Sequence, residues 1–211
     1  MRPLVQRIGH VTLGTPDPRR AAADAVSILG LHPVEVTGSQ ALLTSNARRA
    51  ELIFRQADRN EMQVCGLETG SADSVDAVRA RCKAAGLDVL SSTPSQPFIE
   101  KAVTFRTGEG HVFEVHTPVP SDSPARHPGS MMRPRSLDHI NVTAEDPKTF
   151  TEQLNAACGL LLSQRSSDYE ISWMRAGNYR HHTVAVVKSQ TGVHHISWEY
   201  ASLQDFKTVA D

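Results

Sequence analysis

The side chains with the clearest chemical potential in this sequence are histidines, and their positions follow a pattern. His10 lies in Gly9-His10-Val11-Thr12-Leu13, followed by Asp17-Pro18 and Gly30-Leu31. His139 lies in Asp138-His139-Ile140-Asn141-Val142, followed by Asp146-Pro147 and Gly159-Leu160, and all three landmarks are shifted by the same 129 residues. A shared offset of this kind marks an internal duplication. His195, in Val193-His194-His195-Ile196-Ser197-Trp198, precedes the same apolar, polar, apolar run as His139, and a further pair, His181-His182, sits in 177–185. Imidazole titrates near neutrality and is a common metal ligand, so histidines recurring at strand starts can carry protons or hold a metal ion. One histidine at a strand start is more often a core or surface residue. His139 and His195 differ because they occupy one frame position in two repeats. Side chains alternate across a strand, so only one of two adjacent histidines can face a shared point. Alignment with His139 selects His195 over His194, whereas the residues alone leave His181 and His182 undecided.

The elements that must position these residues repeat with them. In the first unit 9–14 alternates as a strand, Asp17-Pro18 is an N-cap followed by proline at the first helical position, and 20–29 is an alanine-rich helix closed by Gly30. Three short strands, 32–37, 41–44 and 51–55, complete a βαβββ unit. Twenty residues before Gly86-Leu87 stands Gly66, with Asp73 seven residues on, so a second unit keeps the scaffold without the histidine. Its expected elements are strands at 63–68, 103–107 and 111–117 and a helix at 73–85. The third unit opens at His139 and a fourth at His195, with a helix expected from about Ser202. The stretch 118–135 carries Pro118, Pro120, Pro124, Pro128 and Pro134 and reads as a linker. The expected fold is α+β: paired βαβββ modules forming an N-terminal barrel domain over 1–117, a linker over 118–135, and a partial second domain over 136–211.

Composition agrees with a globular protein. Of 211 residues 39% are hydrophobic and 21% charged, and a net charge of −1 offers no attraction for nucleic acid or an anionic membrane surface. Arg2 and Arg7 are not followed by an apolar run, and no stretch approaches the length of a membrane span, so a cytoplasmic location is the default expectation. Cys65, Cys82 and Cys158 are odd in number and widely spaced, which suggests core thiols and neither a disulfide framework nor a zinc site.

Paired βαβββ units whose first strands carry histidines resemble the vicinal oxygen chelate superfamily, which includes glyoxalase I, bleomycin-resistance proteins and the type I extradiol ring-cleaving dioxygenases. Four units with a linker after the second, together with Asn178-Tyr179-Arg180-His181-His182-Thr183 and His194-His195, are similar to the catechol dioxygenase branch that acts on 2,3-dihydroxybiphenyl and related diols. The resemblance covers essentially the whole chain, and its specific part is confined to 138–198. It implies an enzyme that cleaves a catechol-type ring beside its paired hydroxyls in aromatic compound degradation, using O2 and Fe(II), or Mn(II) in some members. The metal would be held by two histidines and one carboxylate on one face, leaving positions open for reactants. Carried over by position, His139 and His195 are the implied metal ligands. His182, rather than His181, is the implied catalytic residue, hydrogen-bonding a substrate oxygen and moving a proton. The implied partners are a small aromatic diol and O2, with assembly as a homo-oligomer and no nucleic-acid or membrane partner. The alternative within the superfamily is a non-catalytic small-molecule binding protein, a role that does not require a His-His-Thr segment facing a cavity.

The same resemblance assigns a carboxylate to each pair of units. Glu114, in His111-Val112-Phe113-Glu114, stands at that place in the second unit, 48 residues after Gly66. With glycine at 66, the first pair is implied to be a metal-free relic in which His10 is structural. The matching carboxylate of the last unit would fall about 48 residues beyond His195 by repeat analogy, past Asp211. The expectation is therefore a C-terminally incomplete catalytic domain whose third ligand comes from further sequence, from Glu170 or Glu199, or from a partner subunit. His32, His111, His116 and His127 are expected at the surface.

Overall fold

The computed structural model describes residues 2–122 and 133–210. Most of the expected linker, with His127, lies outside the described residues. Each helix forms where a side-chain cap satisfies its first amides. Before α1 (Pro18–Leu29) the Asp17 carboxylate accepts from the Arg20 amide at 3.0 Å, and before α3 (Pro147–Cys158) Asp146 does the same for Thr149 at 3.0 Å. Both helices end at a left-handed glycine, Gly30 at φ 69° and Gly159 at φ 72°, a conformation that costs glycine nothing. In the second unit the helix begins one residue before the expected 73–85: Ser71 caps α2 (Ala72–Ala84), its hydroxyl accepting from the Ser74 amide at 3.2 Å while Asp73 stands in the first turn. For α4 (Leu203–Ala210) the Ser202 hydroxyl accepts from the Asp205 amide and the Asp205 carboxylate accepts from the Ser202 amide, a reciprocal capping box.

The strands repeat the duplication in their pairing. The first module holds β1 (Val5–Thr15), β2 (His32–Val36), β3 (Gln40–Thr44) and β4 (Leu52–Gln56) in the order β2-β3-β4-β1. The second holds β5 (Glu61–Thr69), β6 (Asp88–Ser91), β7 (Ala102–Arg106) and β8 (Val112–His116) in the order β5-β8-β7-β6. The third and fourth contribute β9 (Ser136–Ala144), β10 (Leu161–Arg165), β11 (Ile171–Arg175), β12 (Val184–Lys188) and β13 (Gly192–Glu199) in the order β10-β11-β12-β9-β13. In every complete module three antiparallel strands meander and the last pairs parallel with the first. The registers match: Val11 faces Leu52, Leu67 faces Val115 and Ile140 faces Val184. Even a β-bulge recurs, between Pro33 and Glu35, Val89 and Ser91, and Leu162 and Gln164. The strand orders are open, so among the described residues the modules form mixed sheets and no closed barrel. Among them, too, no helix is long and apolar enough to cross a membrane.

Two compact units are distinguished. One gathers the described residues of 1–9, 64–118 and 139–196. Its core includes Phe105, Phe113 and Phe150, with ring centroids 5.9 and 6.1 Å apart in sequence, and the three cysteines, all free and buried. Burial raises all three thiol pKa values, that of Cys82 to about 11, which keeps them protonated and inert. His111 and His116 belong to this core, at 4% and 0% exposure, contrary to the expectation of surface positions. One nitrogen of each ring has a backbone partner: His116 Nδ1 donates to the Thr117 carbonyl at 2.7 Å, and His111 Nε2 to the Thr143 carbonyl at 2.9 Å. Gly9 makes room for His116, since a Cβ there would sit 2.2 Å from its Nε2.

The other unit gathers the described residues of 10–63, 119–138 and 197–211. It buries an ion pair, Arg48 Nη2 to Glu51 Oε1 at 2.5 Å, and the same carboxylate accepts from the Ser45 amide and hydroxyl and from the Leu137 amide. Burial pushes the Glu51 carboxyl up, but the Arg48 charge and the hydrogen bonds from Ser45 and Arg48 together hold it below its ordinary value.

Two substitutions test this packing by urea unfolding. Gly9→Ala should lose about 1–3 kcal/mol through overpacking against His116. Glu51→Ala strands a buried guanidinium and should lose about 3–5 kcal/mol. Stability within 0.5 kcal/mol of wild type, by the roughly neutral standard of surface changes, would contradict either account.

Candidate functional site

The site is built on β9. Ile140, Val142 and Ala144 turn into the core, which leaves His139, Asn141 and Thr143 on the opposite face. β13 lies beside β9 and brings His195 to His139, with the two Nε2 atoms 3.2 Å apart and the ring centroids 5.4 Å apart. The His182 ring reaches the same place, its centroid 4.1 Å from that of His139. His181 and His182 precede the first residue of β12, Val184, so strand alternation does not decide between them. Thr183 does. This fully buried residue donates its amide to the Met174 carbonyl at 2.7 Å and accepts from the Ile140 amide at 3.2 Å, and its hydroxyl accepts from the Ala176 amide at 3.3 Å. Anchored on β9 and on the end of β11, Thr183 delivers His182 against His139 and leaves His181 exposed. The loop before it turns tightly: Asn178 accepts from the Arg180 amide, and Tyr179 takes a left-handed φ of 61°.

His182 and His195 are each oriented by the histidine before them. His194 and His195 share a hydrogen bond between Nδ1 atoms at 2.7 Å, and His181 and His182 another at 3.0 Å. Partners of this kind fix ring orientation and the nitrogen presented on the far side. Burial, then the charges of His139 and His194, lower the His195 pKa, which keeps its ring unprotonated further into the acid range.

The His139 and His195 pair fits a divalent metal in part. Ligand nitrogens at about 2.1 Å lie about 3.0 Å apart when adjacent and about 4.2 Å apart when opposite, so a 3.2 Å separation suits adjacent positions. Among the described residues no group of three or more His, Cys, Asp or Glu is arranged to hold a metal ion. The registers give the reason. One step before Leu52, Val115 and Val184 stand Glu51, Glu114 and Thr183, so the third module has threonine where the first two have a carboxylate. Glu51 is committed to Arg48, and Glu114 accepts from the Ser95 amide and hydroxyl at 2.7 and 2.9 Å. His10 is buried in the unit that does not contain His139. Sequence reading passed over Asn141, which shares the His139 face at 7% exposure and has an Oδ1 without a hydrogen-bond partner. Its two-residue spacing from His139 was the available signal.

A family model described as the Glyoxalase/Bleomycin resistance protein/Dioxygenase superfamily matches residues 7–115. No curated protein matches the sequence. Solved structures do match in fold. The Mn(II)-bound glyoxalase from Novosphingobium aromaticivorans superposes with a TM-score of 0.88 at 23% identity, covering 99% of this chain and 70% of its own. BphC, a halotolerant catechol dioxygenase, gives 0.88 at 18% identity, with 98% and 74% covered. Homoprotocatechuate 2,3-dioxygenase from Brevibacterium fuscum, in complex with 3,4-dihydroxyphenylacetate, gives 0.88 at 16%, with 99% and 68% covered.

The coupling of the two rings is measurable without any metal. In an NMR titration the His195 ring should have a midpoint below about 6.5, and His139→Ala should raise it by removing both a neighbouring charge and part of the burial. A midpoint at or above the ordinary value, or one that falls in the variant, would contradict the arrangement.

Proposed function

The chain belongs to the Glyoxalase/Bleomycin resistance protein/Dioxygenase superfamily, and from that premise we propose that it is an extradiol dioxygenase, cleaving a catechol-type aromatic beside its paired hydroxyls with Fe(II) and O2 in aromatic compound degradation. The observation that carries the reading is the 3.2 Å approach of His139 and His195 with the His182 ring beside them. His139 and His195 would hold the metal at adjacent positions, with a carboxylate from outside the described residues as third ligand. This is the two-histidine, one-carboxylate face suited to Fe(II) oxygenases, and imidazole equally suits Mn(II), the ion in the glyoxalase above. When bound, the metal supplies positive charge that favours ionised catechol hydroxyls, and as Fe(II) it supplies electrons to O2.

The chain's own residues bind, orient and move protons. His182 is the general acid and base, taking a proton from a substrate hydroxyl and returning it as the ring opens. His181 fixes the His182 ring, and the Asn141 carboxamide, buried on the His139 face, orients the diol by hydrogen bonding. In this reading the modules pair as 1–117 and 136–211 around the linker. A second reading, a small-molecule binding protein without chemistry, draws on one observation: the described residues offer no third ligand.

The test separates ligation from proton transfer. Fe(II) added anaerobically should bind in a way abolished by His139→Ala or His195→Ala and retained by His182→Ala. On admitting O2, a form that supplies the third carboxylate should give the yellow ring-cleavage product from at least one of catechol, 3-methylcatechol and 2,3-dihydroxybiphenyl, whereas the 211-residue chain alone should give little, and His182→Ala in the active form should reduce turnover by roughly 10²- to 10⁴-fold. Equal loss of iron in His182→Ala would make that residue a ligand. Catechol binding that is indifferent to metal, with no product, would favour the binding protein.

A further inference from the structure

Among the described residues, β13 carries His195 but lies at the edge of its sheet, with β9 as its one neighbour. An edge strand is restrained from one side only, and its first residues need another hold if His195 is to keep its place against His139. The turn between β7 and β8 supplies it. Glu109, at the tip of that turn, accepts from the Glu145 and Asp146 amides at 2.7 Å each and from the Thr191 hydroxyl at 2.9 Å, so one carboxylate joins the start of α3 to the residue preceding β13. His111 donates from Nε2 to the Thr143 carbonyl of β9, while its Nδ1 meets the Thr107 hydroxyl at 3.3 Å and its ring packs edge-on against Phe150 at 5.0 Å. Thr143 completes the circuit by donating its hydroxyl to the Gln190 carbonyl at 2.7 Å.

We propose that Glu109 and His111 are positioning residues for the histidine pair: a latch from the second module that holds the turn before β13 against the end of β9 and so sets the separation of His139 and His195. The second module, which has glycine at the frame position of the histidines, thereby acts on the site without touching it. The inference rests on the metal-pair reading only for its consequence, because the latch itself is a property of the metal-free chain.

Hydrogen exchange of the metal-free 211-residue protein tests the latch, and Mn(II) affinity tests the consequence. Glu109→Ala and His111→Phe, the latter keeping a ring against Phe150, should each speed exchange across Gly192–Glu199 by about tenfold or more, while α1 and β3 stay at wild-type rates, as expected of a local opening. Glu109→Gln, which keeps one acceptor oxygen, should fall between. A control from the other unit, Ile53→Val or Leu43→Ala chosen to match the fall in Tm, should leave that segment unchanged. Mn(II) should bind the latch variants about tenfold more weakly than wild type, the low end for groups that support metal ligands. Exchange in Gly192–Glu199 that is unmoved, or moved equally by the control, overturns the latch. Faster exchange with wild-type Mn(II) affinity overturns its role in setting the pair, whereas failure of the wild type to bind Mn(II) overturns the metal-pair reading and leaves the exchange result to decide the latch.

Discussion

The parallel ladder between β9 and β12 is the constraint on which the site depends. Thr183 opens that ladder, tied by its amide, carbonyl and hydroxyl to three backbone groups. A residue with every polar group bonded in a dry environment has few alternative placements. Its predecessor His182 therefore cannot drift far from β9, where His139 stands one residue before Ile140, the Thr183 partner. The same parallel pairing closes the other complete modules, with Val11 on Leu52 and Leu67 on Val115. Duplication has copied a backbone geometry, and chemistry has been placed on it unequally: one step before the matching pairs Val11–Leu52, Leu67–Val115 and Ile140–Val184 stands a carboxylate in two modules and threonine in the third.

The inequality explains how buried charge is handled. Where the register supplies a carboxylate, the fold surrounds it with donors, Arg48 and Ser45 for Glu51, and Ser95 for Glu114. Where it supplies threonine, the neighbourhood holds histidines instead. Their close approach is eased at His195, whose pKa is lowered by burial and by the charges of His139 and His194, so that its ring stays unprotonated further into the acid range. Imidazoles held close together, two of them with Nδ1 partners, are preorganised for a cation at lower cost than an unpaired carboxylate would be.

Much of this was legible in the sequence, because duplication repeats local signals. Asp17-Pro18 and Asp146-Pro147, with Gly30 and Gly159, located two helices to within a residue, since capping is a local matter of side chain and backbone. The second module was read less well. Its helix was placed within a residue, but β6 went unrecognised because Asp88–Ser91 is a four-residue edge strand with too few residues to show a period. His111 and His116 were misplaced at the surface because their partners are backbone carbonyls, one of them in another module, and no local pattern announces such a bond. Asn141 was hidden for the opposite reason: its neighbours in sequence made it look like an ordinary strand position.

In the proposed site, His139 and His195 form part of a metal face. Crystals of the protein equilibrated with Mn(II) and measured near the manganese absorption edge would test it directly. One anomalous peak should appear within about 2.0–2.3 Å of both Nε2 atoms, with the His182 ring beside it and outside bonding distance. A peak held by other residues, or one bonded to a single histidine while the two rings move apart, would contradict it.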